Sequence, residues 1–372
     1  MKRIKSFIAT LAIACAISGG IASTDIPSAR ADEVTRVRLG LGPYFDYQPW
    51  FLAHNLGLDK EQGIDLELTT ITSIGTGIAS MRQGSMEGVF SGLSVDFPFY
   101  KSVPSLRSWL ITDQFAGFIV VGRKGQTDTF ESLKAQIGAE KAKEQILNSF
   151  KGKTFSVVLS VREQMLGSAF SQVGMTTKDV KFADFPDDAQ AALAFVKGVG
   201  DYYMGGLPQE TKLLQSPDKF VNVGGQEILG PAGLWYTTID SLEPWLQAHN
   251  DTALKLVAIW YRMMRYMKEK PDVVIPMLTK AINESAAASF TPDEVKASLT
   301  MLDFRTIEEA QKTQYDPNSD IYWKKAVDFY STLNKEHLPD NFDPRVYDTA
   351  EALFNDFLKH KDLVDWVNSP LK

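Results

Sequence analysis

The chain has 372 residues, 44% hydrophobic and 23% charged, with 39 Lys and Arg against 46 Asp and Glu for a net charge of −7. That acidity argues against a nucleic-acid binder or a surface that clings to anionic lipid. One cysteine, Cys15, rules out a disulfide framework or a Cys-metal centre within the chain.

Residues 1–31 read as an address. Lys2, Arg3 and Lys5 open it, an apolar stretch covers 7–22, and Ala29, Arg30 and Ala31 supply small residues at the spacing of a signal-peptidase site. The expectation is a secretory signal peptide cleaved after Ala31. The competing reading is a lipoprotein anchored through Cys15, but Ala12 stands where such signals usually carry Leu, and apolar residues continue past Cys15. Cleavage takes away four basic residues and Asp25, leaving 35 basic against 45 acidic and a net charge of −10. No later segment approaches a membrane span. The expected product is a soluble, monomeric periplasmic protein without cysteine, long enough for two domains.

In chain order, 34–42 alternates as a strand, 48–56 reads as a helix with Pro49 in its first turn, and 64–71 alternates again. A helix over 78–83 and strands at 88–91 and 106–112 complete an α/β grammar. The pattern then restarts: strand 153–159, helix 162–172, strand 180–183, helix 188–196, strand 202–204. Gly84, Glu87 and Gly92 reappear as Gly198, Asp201 and Gly206 at a constant offset of 114, and Asp65 reappears as Asp179. Two similar lobes are the simplest reading. The charged stretch 136–148 reads as a surface helix. From about 242 the chain turns helical, over 254–268, 273–282, 292–301, 321–333 and 347–358.

The catalytic inventory is nearly empty. His54, His249, His337 and His360 show no metal-ligand spacing. There is no nucleophile elbow and no phosphate loop, and no carboxylate pair stands out as an acid/base couple. What recurs instead is a set of strand-to-helix turns, which in a parallel sheet gather where ligands bind. The turn 43–49 carries Tyr44, Phe45, Asp46 and Tyr47. The turn 72–77 carries Ser73 and Thr76, and Ser91 and Ser94 follow the third strand. The second lobe offers Ser160, Arg162 and Asp187, and Trp235 lies at the cleft or on a hinge strand. Several hydroxyls and Asp187 double as helix N-caps. Arg162 near a helix start opposes the helix dipole, so it calls for an anion or a carboxylate partner.

These segments resemble the periplasmic solute-binding proteins of nitrate/sulfonate/taurine-type ABC transporters, a family that also includes receptors for pyrimidine precursors. The resemblance rests on the strand ending in Gly-Pro-Tyr and on the runs 50–68, 75–92, 150–157, 174–180 and 192–206. It covers most of 34–240. It implies the two-lobed type II periplasmic binding fold, with crossings near 112–117 and 223–232 and closure by a hinge. Lobe 1 would hold 32–114 and 225–372 with the helical tail, and lobe 2 would hold 115–224. The chain departs from the family at 159–162, Leu-Ser-Val-Arg where members often carry Gly-Ser, and at 206–208, Gly-Leu-Pro where many carry Trp-x-Pro.

The implied function is that of a binding component docking on an inner-membrane permease, not an enzyme, and without a cofactor or metal. Enzymes of the same fold that make pyrimidine precursors carry a cysteine-rich motif, which the mature chain lacks. A sensory binding subunit would share every feature. Arg162 and the Ser/Thr/Gly turns favour a small organic anion such as a sulfonate or carboxylate, or nitrate. The aromatic residues with Asp46 and Asp187 favour a flat nitrogen heterocycle or a cation.

Overall fold

The structure, a computed structural model, describes residues 34–286, 288–335, 338–342 and 345–372. The leader with Cys15, and His337, lie outside the described residues.

Among the described residues there are ten strands: β1 (Thr35–Leu41), β2 (Ile64–Thr70), β3 (Gly88–Gly92), β4 (Leu106–Phe115), β5 (Val120–Arg123), β6 (Thr154–Val157), β7 (Lys181–Asp184), β8 (Tyr202–Met204), β9 (Phe220–Gly224) and β10 (Trp235–Leu242). They make two five-stranded sheets, ordered β2-β1-β3-β10-β4 and β7-β6-β8-β5-β9. In the first, β1 runs parallel to β2 and β3, while β10 lies antiparallel between β3 and β4. In the second, β6 runs parallel to β7 and β8, and β5 lies antiparallel between β8 and β9. Both sheets therefore have the same plan, a parallel core with one antiparallel strand inserted. This is the two-lobed α/β architecture expected from the alternating pattern.

The internal echo has a physical basis. Glu87, just before β3, accepts the backbone N–H of Arg38 on β1 at 2.6 Å, and Asp201, just before β8, accepts that of Thr154 on β6 at 2.8 Å. Each carboxylate ties the entry of one parallel strand to its neighbour. Gly84 and Gly198 leave their helices with φ of 71° and 100°, the left-handed conformation that glycine takes without a Cβ clash. The Asp65 and Asp179 echo does not share a role: Asp65 pairs with Lys60, whereas Asp179 closes a capping box with Thr176.

The helical tail packs on the first sheet. The helix Asn250–Glu269 buries Trp260 against Trp50, with ring centroids 5.4 Å apart, and the helix Arg345–Phe357 lies along β4. Arg262, almost wholly buried, holds the chain end by donating to Ser369 Oγ at 2.9 Å and to the Pro370 carbonyl at 3.2 Å.

Some boundaries differ from those the sequence suggests. The stretch 136–148 is not one surface helix. Gly138, with φ of 84°, separates the helices Phe130–Ile137 and Ala139–Ser149, and the second buries Ala142, Ile146 and Leu147. The helix Ile74–Arg82 starts four residues earlier than its apolar pattern, because Ser73 caps it. The chain passes between the sheets at 116–119 and again before β10. The residues ahead of that second passage, 226–233, pack on the helix Leu159–Ser171 of the second sheet.

Candidate functional site

The carboxyl ends of both parallel cores face one cavity of about 340 Å³, a size typical of small-molecule pockets. After β1, a single 3-10 turn (Phe45–Tyr47) divides the aromatic run. Tyr44, Asp46 and Tyr47 line the cavity, while Phe45 goes the other way, fully buried with its ring 6.0 Å from that of Phe290. Phe45 is therefore a core residue and not a cavity residue. Tyr47 is held by its hydroxyl, which donates to the Ser91 carbonyl at 2.8 Å, and by an edge contact with Phe90 at 5.1 Å.

The helix Ile74–Arg82 opens at the cavity with Thr72, Ser73, Ile74 and Gly75 in its wall. Ser73 Oγ caps it by accepting the Thr76 N–H at 3.3 Å, and exposed Thr76 stays outside the cavity. Ser91 and Ser94 are also outside. Ser91 lies within β3 with its hydroxyl donating to Asp96, and Ser94 is buried in the turn that follows. Sequence spacing puts these hydroxyls near the rim, but the strand pleat and the first helical turn direct them behind it.

The far wall comes from the second sheet: Val158, Ser160, Val161 and Arg162 at the start of the helix Leu159–Ser171, then Pro186, Gly206 and Leu207. Asp187 is not part of it. Its carboxylate caps the helix Asp188–Val196 by accepting the Gln190 N–H at 2.8 Å. The neighbouring Asp188, not among the expected site residues, lies behind the wall, where it meets Arg162. It is 3% exposed and pairs with Arg162, 4% exposed, at 3.2 Å. Arg162 also lies over the Phe118 ring, 4.5 Å from its centroid. Both carboxylate partner and cavity wall thus meet at Arg162. Phe90, Phe99, Phe115 and Phe118 add rings that the sequence does not single out, and Trp235, the first residue of β10, meets Phe118 edge-on at 5.8 Å.

The electrostatics are those of buried acids. Burial pushes the Asp46 carboxyl up to about 7, against the pull of its own backbone N–H, of Thr237 Oγ1 at 3.4 Å and of Arg162. Asp113 behind it is raised by burial and by the charge of Asp46. Deeper in the sheet, burial raises Asp240 to about 6 and holds Asp96 well above the carboxylate range, and the two carboxyls are hydrogen-bonded to each other. Glu210, which accepts the Ile119 N–H at 3.2 Å, is likewise raised by burial.

These raised acids set a pH dependence. In the unfolded chain they lose their protons near pH 4. Folded, Asp46 keeps its proton to about pH 7 and Asp240 to about pH 6, so the stabilisation from these two is complete below pH 4 and is lost as pH rises through 6 and 7. Exposed, paired acids such as Asp65 and Asp179, lowered by their hydrogen bonds, act oppositely at the acid end. Maximal stability of the empty protein is expected near pH 5. A loss of about 2–4 kcal/mol is expected by pH 8, since each tenfold difference in proton affinity between folded and unfolded chain is worth about 1.4 kcal/mol. Urea titrations at pH 5, 6, 7 and 8 check this; a flat or rising midpoint contradicts it.

Among the described residues, no cluster of His, Cys, Asp and Glu is arranged to hold a metal ion, and no helix is long and apolar enough to cross a membrane. No protein-family model matches the chain, and neither does any curated protein sequence. Solved structures do match. The alkanesulfonate-binding protein SsuA from Xanthomonas axonopodis pv. citri, bound to MOPS, superimposes with a TM-score of 0.59 at 12% identity, covering 83% of this chain and 96% of that one. The periplasmic nitrate-binding protein NrtA from Synechocystis PCC 6803 gives 0.58 at 14% identity, over 91% and 90%. The desulfurization enzyme DSZB gives 0.56 at 12% identity, over 88% and 99%. At these identities the likeness establishes the fold, that of the two-lobed periplasmic binding proteins.

Proposed function

We propose that this protein is the extracytoplasmic receptor of an importer, a monomer that closes its two halves on a small solute and then docks on a membrane permease. The observation that carries this is the composition of the cavity. Tyr44, Asp46, Tyr47 and Trp235 come from the first sheet, and Ser160, Arg162 and Gly206 from the second, so a bound solute joins both halves. The hinge would be the two passages, 116–119 and the one before β10, with the first sheet and the helical tail in lobe 1 and the second sheet, together with 226–233, in lobe 2. Removal of 1–31 would release the chain into the periplasm.

The neighbours named for sulfonate and nitrate binding, and the helix starts at Ile74 and Leu159, speak for a small anion. A sensory subunit would use the same cavity and differ only in its membrane partner. The desulfurization enzyme keeps catalysis in view as the competing class.

Thermal melts against a panel of small anions and nitrogen bases, followed by calorimetry and small-angle scattering, test the receptor reading. A ligand at one hundred times its Kd is expected to stabilise the protein by about 2.7 kcal/mol. It should also lower the radius of gyration and be recovered chemically unaltered. Conversion of the ligand on the protein would replace the receptor with an enzyme.

A further inference from the structure

Among the described residues that line the cavity, Arg162 is the single cation and Asp46 the single carboxylate. The two differ in one respect: Arg162 is already matched. Its guanidinium donates to Asp188 Oδ2 at 3.2 Å and lies over the Phe118 ring, with buried Glu210 as a second acid in its field. An incoming anion would have to compete with Asp188 for that guanidinium and would meet Asp46 on the opposite wall. Asp46 has no ion pair among the described residues. Among the described residues its carboxylate accepts from its own backbone N–H and, at a long 3.4 Å, from the Thr237 hydroxyl. Around it stand Tyr44, Tyr47, Phe90, Phe115, Phe118 and Trp235, ring faces and edges suited to a flat or cationic guest.

We propose that the cavity takes a flat nitrogen base, a planar amidinium- or amino-heterocycle-like solute, with its N–H groups on the Asp46 carboxylate and its ring among the aromatic side chains. This rests on the receptor reading and names its ligand class. A half-buried carboxylate without a cation is a cost to the folded state, and its burial already shows as a raised affinity for protons. Unlike Asp113, Asp96 and Asp240 behind it, Asp46 lines the cavity, where something outside the chain can supply the missing charge or donor. Besides the Thr237 hydroxyl, the charged and titratable groups in its field are Asp113 from β4, Arg162 from the opposite half, Tyr44 and Tyr47. Asp113 opposes ionisation of Asp46 and Arg162 favours it. Neither replaces a donor in contact.

The test uses matched probes on the full-length exported protein: benzamidine and 2-aminopyridine against benzoate, benzenesulfonate, methanesulfonate and nitrate. The bases are expected to raise the melting temperature and the anions not. Benzamidine stays cationic throughout, so its affinity is expected to rise about tenfold between pH 6 and 8 as Asp46 ionises. Asp46→Asn is expected to weaken it by about 10–100-fold while leaving the empty protein as stable or more so, with Asp46→Glu restoring part of the loss. A merely structural Asp46 would lower the melting temperature of the empty protein on replacement and leave the affinity unchanged. Binding of benzenesulfonate or nitrate with Asp46→Asn silent overturns the ligand class and leaves the receptor standing. Silence from every probe overturns both.

Discussion

Arg162→Gln is expected to destabilise the protein by about 3–5 kcal/mol, the range for breaking a buried ion pair from one side. The cost does not come from the contact itself. At 3–4% exposure Arg162 and Asp188 are both nearly removed from water, so glutamine leaves Asp188 as an uncompensated charge beside Glu210. The unfolding midpoint in urea should fall accordingly, and it should fall least at acid pH, where Asp188 can take up a proton. Adding Asp188→Asn should recover most of the loss, since two neutral amides of similar shape can hydrogen-bond to each other. Arg162→Lys should fall between, because an ammonium keeps the charge but loses the flat stacking on Phe118. Affinity for a nitrogen base should change little. The contrary result is a mutant of unchanged stability that loses binding of sulfonates, which would make Arg162 the ligand's own partner.

Gly92→Ala is the second large effect, and it is purely steric. Gly92 is in extended backbone, φ −155°, so alanine meets no backbone strain there. A Cβ built on it, however, lies 2.0 Å from the Trp235 ring, far inside contact distance. Trp235 packs edge-on against Phe118, and its open side is the cavity. Overpacking of this kind costs about 1–3 kcal/mol. Relief comes by driving the indole into the binding space, so a tenfold or greater loss of affinity is expected with it. The emission of Trp235 should shift at the same time. Gly92→Ala combined with Trp235→Phe should regain stability, because the smaller ring clears the added methyl. A single mutant that melts and binds like the parent would mean the indole has another place to go.

Much of the fold was legible because its signals are local. β1 and β2 alternate residue by residue, and Gly84 and Gly198 punctuate their helices in the same way, so a doubled α/β unit follows from short stretches of sequence. β5, β9 and β10 were not legible. β5 and β9 stand outside the strand-helix repeat that made the equally short β7 and β8 legible, and β10 is buried on both faces with Thr237, Thr238, Asp240 and Ser241 inside it. A polar buried run carries no period-2 apolar signal. The partners of β10 are β3 and β4, more than a hundred residues earlier, and only the folded sheet supplies them.

The site divides along the same line. The turn after β1, the capped helix at Ile74 and the helix start at Arg162 could be placed at the sheet's carboxyl ends from sequence, since strand order and helix onset are properties of neighbouring residues. Which side chain of each turn enters the cavity could not. A 3-10 turn sends Asp46 and Phe45 to opposite sides, a pleat hides Ser91, and a cap occupies Asp187 while Asp188 next to it reaches Arg162. Each outcome turns on a rotation of about 100° per residue in a helical turn or 180° in a strand. A shift of one residue in where an element starts therefore exchanges wall for core, and packing against distant strands sets that start. By itself, the sequence determined two similar lobes and the turns that meet between them. Tertiary structure alone decided that Arg162 is spoken for and that Asp46 is not.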